Sequence, residues 1–301
     1  MFSILQLTWS PAVMLLQVYS FLVLIYDTFC LAFMVIKAST ESFYHVFFPP
    51  RQKSVAGEIV LIAGAGRGVG RELAIQFSML GATVICWDIQ SDNNEETAMI
   101  ADLLGYGVGK AYAYTCDVTN RDQVIKVADR IVKEVGSATV VINCCNLPSP
   151  RVLTESPAPD VCKTLDVGVM SHFWILQAFL PSMQRRRHGH IVMLTSVAGL
   201  TGINNLVPLS TVQFAVQGLA ESLIEELRNY KTSGDVKLTL VHIYPFIVDK
   251  EMSTSIQLRI PSYFGTIEPA AAAREIIRAM RQDYMEVSIP RYLLYVGRVV
   301  R

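Results

Sequence analysis

The chain has 301 residues, with 26 basic and 26 acidic side chains, so its formal net charge is zero. That balance excludes the basic surface on which nucleic-acid binding depends, and the length suits one α/β domain of about 250 residues plus an appendage. Charged residues make up only 17% and mean hydropathy is +0.36, which points to an apolar attachment. The six cysteines, Cys30, Cys86, Cys116, Cys144, Cys145 and Cys162, have neither the density nor the spacing of a disulfide scaffold or a zinc site. No metal is expected. Cys86 and Cys116 read as small core residues and Cys144-Cys145 as a strand end rather than a redox pair, which fits a reducing compartment.

Residues Pro11 to Ile36 are almost continuously apolar, broken only by Gln17, Ser20, Asp27 and Thr28. Ser10-Pro11 supplies a capping side chain followed by proline at the first helical position. The first basic residue is Lys37, after the apolar run, so the pattern is not that of a secretory signal peptide. The positive-inside tendency then places the following domain in the cytosol. Three readings stay open: a span, a monotopic or re-entrant anchor favoured by Asp27, and a buried helix of the domain. Phe47-Phe48-Pro49-Pro50-Arg51 ends the helix and serves as linker, so residues 1–50 form the anchor and 51–301 the domain.

From Glu58 the chain alternates. Residues 58–63 form an apolar run too short for a helix, followed by glycines at 64, 66, 68 and 70 and then Leu73, Phe77 and Leu80 at helical spacing. Strand, tight loop and helix follow, and backbone N–H groups at such a helix start can approach a pyrophosphate where no Cβ intervenes. The next strand, Ala82 to Asp88, ends in an acid about twenty residues on, where a carboxylate accepts hydrogen bonds from an adenosine ribose. Asp88 would repel a 2′-phosphate, which favours NAD over NADP, whereas Arg67 pulls the other way.

Further elements are expected as helix Glu95–Leu104, strand Ala111–Thr115, helix Arg121–Val135, strand Thr139–Asn143 and helix Asp160–Arg186. Strand His190–Thr195, helix Val212–Asn229, strand Val236–Ile243, helix Pro269–Arg281 and strand Met285–Ile289 complete the series. Such alternation predicts a doubly wound, Rossmann-type parallel sheet with its ligands at the C-terminal strand ends.

These residues resemble the short-chain dehydrogenase/reductase family over nearly all of Gly57 to Pro290. The ordered motifs are Ala63-Gly64-Ala65-Gly66-Arg67-Gly68-Val69-Gly70 for TGxxxGxG, Asp117-Val118 after the third strand, Asn143 for the start of NNAG, and Ser196-Val197-Ala198-Gly199 after the fifth. The apolar N-terminus, Cys86-Trp87-Asp88-Ile89, Asn94-Glu95-Glu96-Thr97, His172-Phe173-Trp174 and Ala178-Phe179-Leu180-Pro181 are similar to the membrane-bound branch of retinol and 17β-hydroxysteroid dehydrogenases. The resemblance implies NAD(P)-dependent chemistry on lipid alcohols and ketones such as retinoids and steroids. It also implies a location at the endoplasmic reticulum membrane or a lipid droplet, facing the cytosol, and dimers formed through long helices, with itself or with an active relative. Its cofactor-binding positions are Gly64, Gly66, Arg67, Gly68, Gly70, Asp88, Asp117, Val118 and Asn143, and its catalytic set is a Ser, Tyr, Lys and Asn.

Ser196 is present. Leu209 stands where the Tyr belongs, Gln213 where the Lys belongs and Gly168 where the Asn belongs, and Lys250 replaces a cofactor-contacting Thr. A tyrosine of pKa near 10 is a poor base at neutral pH until a cation stabilises its phenolate, so losing both removes the proton path. Two functions compete: an impaired relative that binds dinucleotide or a lipid-like molecule, and an active oxidoreductase with another proton donor, for which His242 or Tyr244, clustered with Lys250 near the end of the sixth strand, is the candidate. Arg185-Arg186-Arg187-His188 reads as a solvated helix end, with anionic lipid as its alternative partner. Residues 253–266 take the place of the substrate lid.

Overall fold

The computed structural model describes residues 11–145, 152–229, 236–243 and 267–291. The chain divides into two units, Met1–Arg51 and Gln52–Arg301.

Among its described residues the first unit holds one helix, α1 (Pro11–Phe47). It runs eleven residues past the apolar stretch, because no Gly or Pro interrupts the chain between Ile36 and Pro49. Its apolar side chains, Leu15, Leu22, Phe29 and Phe33 among them, are exposed. The Thr28 and Thr40 hydroxyls donate to the carbonyls of Leu24 (2.7 Å) and Ile36 (2.8 Å), so neither polar group needs an external partner.

The second unit carries a seven-stranded sheet, β1 (Ile59–Ala63), β2 (Thr83–Asp88), β3 (Lys110–Thr115), β4 (Val140–Asn143), β5 (Gly189–Ser196), β6 (Val236–Ile243) and β7 (Glu286–Ile289). All pairs are parallel and the order is β3-β2-β1-β4-β5-β6-β7. The expected Rossmann-type fold is therefore present. The order reverses between β1 and β4, which opens a crevice at their C-terminal ends.

Alternation along the strands divides the core. Leu61, Ile85, Trp87, Val141 and Met193 face α4 (Arg121–Glu134), α6 (Ser171–Arg186) and α7 (Val207–Asn229), and Trp87 lies 5.8 Å from Phe179 between ring centroids. Val60, Ile62, Val84 and Val192 face α2 (Gly68–Met79), α3 (Ser91–Leu104) and α8 (Pro269–Arg281). Strands buried on both sides read as continuous apolar runs for this reason.

Three helix boundaries differ from expectation. α3 begins at Ser91, four residues early, with Asp92 in its first turn, where an acid suits the helix dipole. α7 begins at Val207 because Pro208 is tolerated in a first turn. The helix expected over 160–186 is interrupted: α5 (Ala158–Leu165) passes through a π turn at Asp166–Met170 into α6, and the turn contains Gly168.

At the opposite end of the sheet, a partly buried network holds the start of the unit. Lys53 Nζ donates to His190 Nδ1 (2.8 Å) and to Asp283 Oδ1 (2.7 Å). His190 must then carry its proton on Nε2, which donates to Thr239 Oγ1 (2.8 Å), and that hydroxyl donates to the Tyr284 carbonyl (2.7 Å). In the basic run, Arg186 binds the carbonyls of Ser137 (3.2 Å) and Ala138 (2.9 Å) and so joins the end of α6 to the entry of β4. That residue fastens the helix end while staying exposed, as the run Arg185–His188 does throughout and as a solvated helix end should.

Candidate dinucleotide and active site

The glycine loop is held by strand β2. Gly64 N–H and Ala65 N–H both donate to the Trp87 carbonyl (2.7 and 3.0 Å). Gly64 has φ +80°, and a Cβ there would lie 2.7 Å from the Cys144 carbonyl oxygen, so the loop after β4 passes directly over it. At Gly70 a Cβ would meet the Gly64 carbonyl oxygen at 2.0 Å, which lets α2 press against the loop. The first backbone bond into α2 runs from Arg71 N–H to the Arg67 carbonyl (3.3 Å). The N–H groups of Gly68, Val69 and Gly70 therefore precede the intrahelical ladder and face the crevice end of the helix, the arrangement that suits a pyrophosphate. Gly68 (φ +58°) has open space where its Cβ would be. Arg67 is exposed at the helix cap.

Gly66 has a different part. Its N–H donates to Asp88 Oδ2 (2.9 Å), while Asp88 Oδ1 accepts from Gln90 N–H (3.0 Å). Gly66 thus positions the carboxylate, and a Cβ at Gly66 would lie 2.9 Å from Asp88 Oδ2. Each Asp88 oxygen keeps a lone pair for a ribose hydroxyl. Arg71, the next basic residue along, is paired with Glu96 (2.8 Å).

Asp117 Oδ1 accepts from the Thr119 N–H (3.0 Å) and hydroxyl (2.7 Å), which turns the chain ahead of α4, and Val118 is buried beside it. Asn143 is buried. Its amide donates to Ser171 Oγ (2.8 Å) and its Oδ1 accepts from Cys145 N–H (3.1 Å), while Ser171 Oγ donates to the Val167 carbonyl (2.6 Å). Asn143 is therefore a clamp between the end of β4 and the π turn. Ser171 was invisible to sequence reasoning, because nothing in the chain links it to a residue 28 positions earlier.

Burial pushes the Cys144 thiol up to about 12. Cys145 is raised further, first by burial and then by Cys144, Asp88, Cys116 and Asp117. Those influences show that the ends of β2, β3 and β4 converge, and they keep both thiols protonated; every described cysteine is free. Cys86 and Cys116 are buried core residues, as expected.

The residues expected at the catalytic end gather around the end of β5. Ser196 closes that strand, and its Oγ accepts from Ala198 N–H (3.1 Å) to cap the short turn Val197–Gly199. α7 packs on that turn: the Gln213 carbonyl accepts from Thr195 Oγ1 (3.2 Å), and a Cβ on Gly199 would lie 2.8 Å from it. Gln213 thus lies against that turn, Leu209 stands one helical turn earlier on α7, both are half-buried, and Gly168 is buried in the π turn. Gln213 Oε1 is buried without a hydrogen-bond partner among the described residues.

His242 is fully buried on the face covered by α7, with Nε2 bonded to Glu286 Oε1 (2.9 Å). It is held by β7, and its Nδ1 is buried without a hydrogen-bond partner among the described residues. Tyr244, Lys250 and the lid at 253–266 lie outside the described residues.

The residues at the adenine end fit a dinucleotide: a glycine cradle closed to any Cβ at Gly64 and Gly70, helix N–H groups at its mouth, and a carboxylate fixed on one side. A family model described as short chain dehydrogenase matches residues 58–260. The chain is 38% identical over 253 residues to mouse epidermal retinol dehydrogenase 2, covering 84% of this chain and 80% of that one. It is 33% identical over 270 residues to human 17-beta-hydroxysteroid dehydrogenase 13, covering 90% and 87%. Among solved structures, a short-chain dehydrogenase/reductase from Burkholderia phymatum in complex with NAD aligns with TM-score 0.69 at 22% identity, covering 81% of this chain and 93% of that one. A metagenomic short-chain oxidoreductase in complex with NADP aligns with TM-score 0.64 at 22% identity, covering 78% and 98%. Fold, motif order and relatives agree, and the chain belongs to the short-chain dehydrogenase/reductase family.

Proposed function

We propose that this protein is a membrane-anchored member of the family that binds a nicotinamide dinucleotide, NAD in preference to NADP, and is impaired in the oxidation or reduction of lipid alcohols and ketones. The retinoid and steroid relatives supply the substrate class. The observation that carries the impairment is the placement of Gln213 against the turn that follows Ser196, with Leu209 one helical turn earlier on the same helix. The frame is kept, so the loss is chemical: a leucine offers no proton, and a glutamine offers no cation to lower the pKa of one. When bound, the dinucleotide supplies a hydride donor or acceptor. Of the chain's own groups, Ser196 Oγ is left to orient a carbonyl, and Asp88 holds the ribose. Asp88 would accept hydrogen bonds from the ribose hydroxyls, and a 2′-phosphate would meet its charge, which supports NAD.

The anchor reading rests on the segment Val13–Lys37, long and apolar enough to cross a membrane with a mean hydropathy of 2.0 and none of it buried. Endoplasmic reticulum or lipid droplet is the proposed location, with the domain in the cytosol, and the long helices are the proposed route to pairing with a second copy or an active relative.

Purified full-length protein, titrated with NADH and NADPH and assayed with retinol and retinal, tests the reading. Removing an acid/base group costs a factor of about 10²–10⁴, so the double variant Leu209→Tyr with Gln213→Lys should turn over retinol at least ~100-fold faster than the natural chain. Turnover by the natural chain equal to that of an active relative would overturn the impairment, and absence of binding to either nucleotide would overturn the cofactor site.

A further inference from the structure

Within the apolar part of α1, the polar side chains other than the Tyr19 and Tyr26 phenols share one face. At 3.6 residues per turn, Gln17, Ser20, Asp27 and Thr28 fall within an arc of about 100°. Leu24 and Leu31 lie on the same arc, so Gln17, Ser20, Leu24, Asp27 and Leu31 follow each other at spacings of three, four, three and four. All these side chains are exposed. The Thr28 hydroxyl is satisfied by its own helix, but the Gln17 amide, the Ser20 hydroxyl and the Asp27 carboxyl reach outward. In hydrocarbon each would cost free energy facing lipid, and a carboxyl near mid-membrane costs about 2.5–3.5 kcal/mol on insertion scales.

We propose that α1 pairs with α1 of a second copy in the membrane, parallel and about a twofold axis, with Gln17, Ser20, Leu24, Asp27 and Leu31 at the seam. This rests on the reading of α1 as a membrane helix. The alternation of three and four is the repeat that keeps one face of a helix turned to its partner when two helices cross at about 20°. The occupant is a second copy because the polar groups are self-complementary. A twofold axis along the membrane normal brings identical residues together at identical depth. A glutamine amide both donates and accepts, and so does a serine hydroxyl. An unrelated helix would need its own polar group at each of these three depths.

Full-length protein in sealed microsomal membranes, carrying Ser20→Cys, Leu24→Cys or Leu22→Cys, is oxidised with copper phenanthroline and run without reductant. Leu22 lies on the opposite face and is the control. The first two variants should form a band of twice the chain mass, at least fivefold more abundant than with Leu22→Cys, and Gln17→Leu with Asp27→Leu in the Leu24→Cys background should cut that band severalfold. Equal cross-linking from both faces, a heavier band of any other mass, or labelling of Ser20→Cys by a membrane-impermeant maleimide overturns the pairing. Carbonate extraction of the same samples separates the two failures: a chain retained but not cross-linked refutes the pairing alone, whereas a chain released by carbonate refutes the membrane reading and the pairing with it.

Discussion

Asp88 is the residue on which nucleotide choice turns. Its two oxygens are fixed by Gly66 N–H and Gln90 N–H, so the carboxylate is pre-oriented before any ribose arrives. Hydrogen bonds to a charged acceptor contribute about 1.5–3 kcal/mol, so Asp88→Ala should weaken NADH binding roughly 10- to 100-fold, while NADPH, freed from repulsion, should lose less. Fluorescence titration of both nucleotides measures the ratio; equal loss for both would remove Asp88 from the ribose. The sequence singled out Asp88 by its distance from the glycine loop. It could not show that Gly66, one of the four alternating glycines, serves Asp88 through its N–H group and makes room for the carboxylate instead of facing a phosphate.

At the scale of elements, the π turn between α5 and α6 is where the family's Asn would stand, and in this chain it is held by Ser171. Ser171→Ala would leave the buried Asn143 amide without its acceptor, and an orphaned group of that kind costs about 1–3 kcal/mol. Urea unfolding should therefore show a lower midpoint with an unchanged slope. An unchanged midpoint would mean that water replaces the hydroxyl. The pattern of residues 160–186 is helical throughout, so the π turn was not legible: one inserted residue alters the backbone ladder locally without disturbing the apolar stripe of Ile175, Phe179 and Met183. The starts of α3 and α7 were misplaced for a related reason, since helix ends follow local capping and sterics more than periodicity.

For the whole molecule, two buried histidines set an acid limit. Burial holds His172 down at about 4, and burial together with Lys53 and Lys237 holds His190 well below its ordinary value of 6.5. In both, the unfolded chain binds the proton more readily than the folded one. The stability they contribute is complete above about pH 6.5 and is lost as pH falls from there toward their folded pKa values. Each group can cost up to about 1.4 kcal/mol per pH unit within that window. The melting temperature should fall steeply from pH 6.5 to pH 4.5, and His172→Gln should flatten the decline by about one proton's share. A decline identical in the variant would assign the acid sensitivity to other groups.

The apolar run at 11–36, the β/α alternation, the glycine loop, and the missing Tyr, Lys and Asn are all determined by the sequence alone, because each depends on residue type at a local spacing. Tertiary structure decided what depends on residues far apart in the chain. It folded Asn143 onto Ser171, made Arg186 a fastener for β4, buried His242 against Glu286, and packed α7 at Gln213 against the end of β5. The physical reason is that hydrogen bonds and packing are satisfied by proximity in space, and only the folded sheet, with its order reversing at β1 and β4, establishes which distant residues become neighbours.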